Sequence, residues 1–253
     1  MTFVRDTRLV FWSQLRSNLR NPVWVMIGLT QPILYLVLFG PLVKGVSSSF
    51  GASSDPWKLL TPALVIQIGL FGAMFAGFAI VSELRSGVIE RQRVTPAARG
   101  ALLLGRVLKD MVVLIVQALV LVAVAMLAFD LRPDPLGLVL SVLLISVMAA
   151  GLASASYALG LWAKEEGTLA SVLNSVSVPI MLLSGILLPM SVGPQWLQDI
   201  AKVNPFSHTV DAARALFRGD FGSSDVYVGT TVTIALALVL MVIGARSFAR
   251  ENA

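Results

Sequence analysis

Long apolar stretches separated by short polar ones run the length of the chain. They fall near residues 23–43, 59–82, 107–129, 136–163, 168–190 and 226–245, each bounded by charge or by clusters of Gly, Pro and Asp. A helix rising about 1.5 Å per residue needs about 20 apolar residues to cross a hydrocarbon core of roughly 30 Å. Each stretch therefore predicts a transmembrane helix. Ahead of them, Val4, Phe11, Leu15 and Leu19 recur near helical spacing, with Arg5, Arg8, Arg16 and Arg20 mostly around the other side and Trp12 near the boundary. This pattern predicts an amphipathic helix over 1–20, lying in the membrane surface. Asn21-Pro22 ends it, because the residue before proline is driven out of the helical region and proline suits the first turn of the next helix. The run from Val23 to Val43 exceeds the roughly 7 to 15 residues of a signal-peptide core, and no A-x-A site follows closely, so an uncleaved first span is expected.

Away from the ends of these runs, the span interiors carry no Asp, Glu, Lys, Arg or His, and the strongly polar residues are Gln31, Gln67, Gln117 and Asn174. Coupling to protons or sodium generally needs ionisable or coordinating groups at mid-membrane. A pathway lined by amides, aromatics and methionines suits an amphiphilic solute better than a small ion. The same amides can also act as hydrogen-bonding glue between helices. Small residues recur at spacing four as Gly69, Ala73 and Gly77, and again as Gly151 with Ala155 and Ser156 with Gly160. They allow close helix packing, either within one chain or between two.

Composition narrows the class. Hydrophobic residues make up 57% of the 253 and charged residues 13%, against about 25% charged in a soluble domain. With a mean hydropathy of +0.84, the chain reads as one all-α membrane domain over 1–253. The absence of Cys and the single His exclude disulfides, thiol nucleophiles and any zinc motif that needs two histidines. No metal site is expected. The net charge of +5 reflects where Lys and Arg are retained rather than nucleic-acid binding. Of the 19 Lys and Arg, 13 fall on the side that holds residues 1–20, the 83–106 connection with the adjoining Lys109, Lys164 and the C-terminal Arg246 and Arg250, while the acidic residues divide evenly. Both termini are therefore expected in the cytoplasm.

No G-x-x-x-x-G-K-[ST] occurs, and none of the lysines follows a glycine, so a nucleotide has no P-loop here. There is no G-x-S-x-G elbow, and His208 lies outside the spans, which leaves no constellation for a hydrolase. The informative connection is Ser82 to Pro96, much longer than a helix-to-helix turn needs. Leu84 and Val88 stand one turn apart with Ile89 beside them, while Glu83, Arg85, Glu90, Arg91 and Arg93 project elsewhere. The spacing fits a short amphipathic helix ended by Thr95-Pro96 and able to offer charge to a soluble partner. A solvated basic loop fits the same residues. On the opposite side, residues 191–224 hold an apolar face of Trp196, Leu197 and Ile200, and Asp211 is spaced i,i+3 from Arg214. Short interfacial or re-entrant helices are expected there, before the last span.

At these segments the chain resembles the membrane subunit of type-2 ATP-binding-cassette (ABC) exporters, in particular the daunorubicin-resistance-like drug-efflux permeases. The resemblance rests on Glu83 to Pro96 leading to Leu104 to Asp110, then on Pro179 through Ser184-Gly185 to Pro189, Pro194-Gln195-Trp196-Leu197, Asn204-Pro205-Phe206 and Asp211 to Arg214. It implies a multi-pass subunit of the bacterial cytoplasmic membrane, paired with a second permease subunit as a homo- or heterodimer. Two cytoplasmic ABC ATPase subunits would bind ATP and Mg, with no cofactor held by this chain and no nucleic-acid partner. By similarity, Glu83, Leu84, Arg85, Ser86, Gly87, Val88, Glu90, Arg91 and Arg93 would form the helix that docks on the ATPase. Family pathways run near the second and fifth spans, which makes Gln67, Phe71, Phe75, Asn174, Ser177 and Met181 pathway candidates by span position. The outer helices over 195–218 would form a gate with Trp196, Asn204, Pro205, Phe206, His208 and Arg214. The expected function is export of an amphiphilic drug, antibiotic or lipid-like molecule by alternating access. The alternative is a membrane anchor or assembly protein that recruits a soluble partner without transport.

Overall fold

The computed structural model describes residues 2–20, 23–47, 56–89, 98–187, 190 and 193–251. Among these residues there are ten helices and no strand: α1 (Thr2–Arg20), α2 (Val23–Ser47), α3 (Pro56–Phe75), α4 (Gly77–Arg85), α5 (Arg99–Phe129), α6 (Pro135–Ala163), α7 (Glu166–Leu183), α8 (Gln195–Val203), α9 (Pro205–Arg218) and α10 (Ser224–Glu251). Six segments are long and apolar enough to cross a membrane: α2, α3 with α4, α5, α6, α7 and α10. Six apolar helices are thus present, the number that hydropathy predicts.

Two spans form the centre. The α3–α4 and α6 segments are 72% and 67% buried, whereas α7 and α10 are each 17% buried and present most of their apolar surface outward. The α6 helix is apolar around its whole circumference and packs against α3, α4, α5, α9 and α10. Small residues let it do so, because no side chain separates the backbones. A Cβ on Gly160 would stand 2.7 Å from the Gly77 carbonyl oxygen, and one on Gly151 would stand 2.6 Å from Cα of Ala237. The small-residue stripes of the second and fourth spans are thus used inside one chain.

The second span is interrupted rather than continuous. At Ala76 the hydrogen bonding tightens to i→i+3 pairs, and the Gly77 amide donates instead to Oγ of Ser156, 2.9 Å away. That hydroxyl in turn donates to the Met74 carbonyl. A side chain from α6 has therefore entered the α3–α4 ladder, which is a recognised cause of helix deviation.

Several boundaries differ from the hydropathy reading. The third span's helix starts at Arg99 rather than 107, so that Arg106, Lys109 and Asp110 sit inside a helix of 31 residues. The fifth stops at Leu183, not 190, where Ser184 and Gly185 turn the chain and Gly185 takes a positive φ of 74°. After α4, Ser86 and a left-handed Gly87 (φ 68°) break the helix before Val88, so the connection is not one helix through Ile89. Glu90, Arg91, Arg93 and the rest of 90–97 lie outside the described residues.

At the end of the bundle away from α1, side-chain caps and proline fix the short helices. Asn204 Oδ1 accepts from the Phe206 amide (3.0 Å), Pro205 begins α9, and Gly219 ends it with φ 83°. Asp134 caps α6 in the same way, accepting from Gly137 at 2.8 Å with Pro135 following. Trp57 at the start of α3 stacks on Phe129 at the end of α5, with ring centres 4.1 Å apart, and lies over Gly40 of α2.

Candidate functional site

The α1 end of the bundle holds a buried charge cluster. Arg106 and Asp110 share one face of α5 at i,i+4 spacing, with Lys109 beside them. Arg106 is 2% exposed. It donates to Oε2 of Glu83 on α4 at 2.5 Å and lies 5.6 Å from the centre of the Phe248 ring on α10, a distance at which a guanidinium is attracted to the ring face. The second oxygen of Glu83 accepts from Gln14 of α1 at 2.8 Å. Asp110 pairs with Lys109 and accepts a hydrogen bond from the Tyr157 hydroxyl of α6. Five helices are thereby tied through side chains at one level. Each charge has an opposite partner, the condition under which ionisable groups persist away from water. By hydropathy Arg106 falls in the 83–106 connection, and Lys109 and Asp110 fall at the first turn of the third span, all three on the cytoplasmic side. The structure buries Arg106 and Lys109 and leaves Asp110 half-buried, because α5 begins two turns earlier than the hydropathy suggests.

Of the residues assigned to the ATPase-docking segment, Glu83 therefore points into the bundle. Leu84 packs on the core and Ile89 is buried, while Arg85 and Ser86 are exposed. Arg85 lies 3.6 Å from Glu166 at the start of α7, which brings the two connections on this face together.

Beside this cluster, a cavity of about 370 Å³ opens between α2, α3 and α5, with Asn18 of α1 at its edge. Three of the four amides singled out by the sequence, Gln31, Gln67 and Gln117, line it, together with Phe71, Phe75 and Asp110. Gln117 donates to the Val25 carbonyl at 2.9 Å. Gln67 is 1% exposed, and among the described residues neither its amide nitrogen nor its amide oxygen has a partner. A buried polar group left so costs about 1–3 kcal/mol. The fifth span takes no part: Asn174 is exposed on α7, Ser177 is buried and bonds back to the Leu173 carbonyl, and Met181 packs against the core. The pathway candidates thus divide into two groups, Gln67, Phe71 and Phe75 around one cavity and the other three on a different helix.

At the far end, Arg214 is the anchor. It is 4% exposed and donates to the Leu59 carbonyl of α3 (3.2 Å) and to the Gly185 carbonyl after α7 (2.8 Å). The i,i+3 pairing with Asp211 is present at 3.6 Å. Burial draws the Arg214 guanidinium down to about 10, with Asp211 opposing the shift, so it stays charged at neutral pH. Burial also raises Asp211, and more strongly than Arg214 lowers it. Of the other residues assigned to an outer gate, Phe206 is buried, Asn204 and Pro205 start α9, and Trp196 is 64% exposed. His208 is exposed, with Nε2 2.8 Å from the Lys202 carbonyl oxygen.

The family model described as ABC-2 type transporter matches residues 5–217. Among curated relatives, the "Daunorubicin resistance ABC transporter permease protein DrrB1" of Streptomyces coeruleorubidus is 26% identical over 255 aligned residues, covering 100% of this chain and 89% of the relative. The "Inner membrane transport permease YhhJ" of Escherichia coli (strain K12) is 26% identical, over 79% of this chain and 52% of the relative. The "Probable multidrug ABC transporter permease YbhR" of the same strain is 22% identical, over 69% and 48%.

Proposed function

The chain belongs to the ABC-2 type transporter family and is a multi-pass membrane subunit of an ABC transporter; from this premise we propose that it exports an amphiphilic drug, antibiotic or lipid-like molecule. The work is done by a separate pair of cytoplasmic ATPase subunits, which hold ATP and Mg. A second permease subunit, identical or related, completes the conduit in the bacterial cytoplasmic membrane.

One observation carries the reading furthest. The helix that leads into the 86–98 connection is bonded through Glu83 to Arg106 inside the bundle, so a force applied at that connection reaches α5 through an ion pair and α6 through the adjoining Asp110–Tyr157 contact. With the α1 face in the cytoplasm, exposed Arg85 and Ser86 offer the contact to the ATPase, and Glu83 passes the displacement inward. The sequence has no P-loop of its own, which agrees with fuel being used by a partner. The drug-resistance and multidrug names of two relatives support an amphiphilic cargo.

The test is reconstitution of the full chain with its ATPase in sealed vesicles, reading ATP-dependent movement of a fluorescent amphiphile such as daunorubicin. The expected result is movement that needs both polypeptides. Replacing exposed Arg85 by Glu should weaken co-purification and transport together. Undiminished ATPase binding and transport in that variant would remove the docking assignment. ATPase binding without movement of any amphiphile would favour an anchoring role.

A further inference from the structure

We propose that the cavity between α2, α3 and α5 is a binding site, complete within one copy of the chain, for an uncharged amphiphile that carries a hydroxyl or amide group. Gln67 provides the motive. Its amide is buried in the wall of a cavity with both its donor and its acceptor unmatched among the described residues, and a group that can both give and accept one hydrogen bond satisfies it. Polar Asn18, Gln31, Gln117 and Asp110 also reach the cavity, and the remaining wall is suited to an apolar body: Phe71 and Phe75 stack along α3 with ring centres 6.2 Å apart, opposite Val113 and Leu114 of α5. The volume, about 370 Å³, lies at the small end of the roughly 300–1,000 Å³ range of small-molecule sites.

The occupant is uncharged because the one carboxylate in the wall is already matched. Asp110 pairs with Lys109 through one oxygen and accepts from Tyr157 through the other, so it offers no free charge to a cation. Ile27 is 55% exposed and Phe75 41% exposed, with exposed Gln31 between the same helices. The cavity therefore opens sideways between α2 and α3, and an amphiphile already in the membrane reaches it without crossing water. No residue of α7 lines it, which separates it from a conduit shared between two subunits. Only the fate of the occupant rests on the export reading; occupancy does not.

The chemistry could come from a membrane lipid or from an added solute, and one experiment separates them. The full chain is placed in phosphatidylcholine nanodiscs without ATPase. One arm contains a diazirine-bearing diacylglycerol within the bilayer, and the other receives a diazirine-bearing alkyl glucoside from solution. A diazirine-bearing phosphatidylcholine is the control. After illumination, labelled peptides are identified by mass spectrometry. Labelling should concentrate on peptides spanning 67–76 and 110–117 with one or both hydroxyl probes, and should fall about tenfold in Gln67→Leu, the loss of one net hydrogen bond. Asn174→Leu should leave it unchanged. Labelling by diacylglycerol alone assigns a lipid and by glucoside alone a solute; either supports the site. Equal labelling by phosphatidylcholine, or undiminished labelling in Gln67→Leu, overturns it. If Gln67→Leu does not fold, competition serves instead: excess unlabelled diacylglycerol or glucoside must suppress labelling of the unaltered chain where phosphatidylcholine does not. Because no ATPase is present, failure here leaves the transport assay unaffected, and failed transport leaves this result standing.

Discussion

The two buried arginines, one at each end of the bundle, are held in different ways. Arg106 is bound by a side chain, the Glu83 carboxylate on the helix that enters the 86–98 connection, and rests on an aromatic ring of the last span. Arg214 is bound mainly by backbone, the carbonyls of Leu59 and Gly185. A carboxylate can rotate away and find another donor, whereas a backbone carbonyl moves only with its whole segment. Under the coupling role proposed above, the α1 end would transmit displacement and the far end would resist it. Arg214 has a carboxylate neighbour as well, Asp211 at 3.6 Å, but that side chain is 55% exposed where Glu83 is 18% exposed, so water screens it more.

This contrast can be broken experimentally. The largest effect is expected from Glu83→Ala, which leaves Arg106 buried without its carboxylate; loss of one partner of a buried pair costs about 3–5 kcal/mol. Thermal unfolding of the purified protein in detergent should show it, and the double change Glu83→Ala with Arg106→Met should recover part of the loss. Arg214→Met should cost about 2–3 kcal/mol, since two carbonyls lose a charged donor, and here removal of Asp211 should give no recovery. Equal rescue at both ends would end the distinction. Gly160→Ala, forced against the Gly77 carbonyl, should cost about 2 kcal/mol by overpacking and should perturb the α1 end's hydrogen exchange before that of α9. Asn204→Ala, which removes only the α9 cap, should cost about 1 kcal/mol and spare any ATPase-coupled activity.

Hydropathy made the six spans legible because a span's length is set by bilayer thickness, and no tertiary detail alters that. Proline and asparagine marked α8 and α9 in the same direct manner. The charge cluster was harder to see. Arg106, Lys109 and Asp110 stand at helical spacing, and that periodicity was the available signal, but without knowing that α4 delivers Glu83 to the same level they read as the polar edge of the third span. Gln31, Gln67 and Gln117 were found as the few amides in apolar runs. Their convergence on one cavity, and the absence of Asn174 from it, depend on which helices pack together, and single-chain hydropathy carries no information on that. The early end of α7 reflects Gly185 in a left-handed turn, which apolar neighbours on both sides concealed.

The hydroxyl of Ser156 wedged at Gly77 has a further result for how the protein sits among lipids. From Trp57 to Arg85 the second span is 29 residues long, roughly 44 Å of helix at 1.5 Å per residue, well beyond the thickness of a typical hydrocarbon layer. A rigid rod of that length could fit only by leaning as one piece. Two rods joined at a seam can take separate inclinations in the two leaflets, so the protein should tolerate thinner and thicker bilayers alike, while the neighbouring uninterrupted helices must tilt whole.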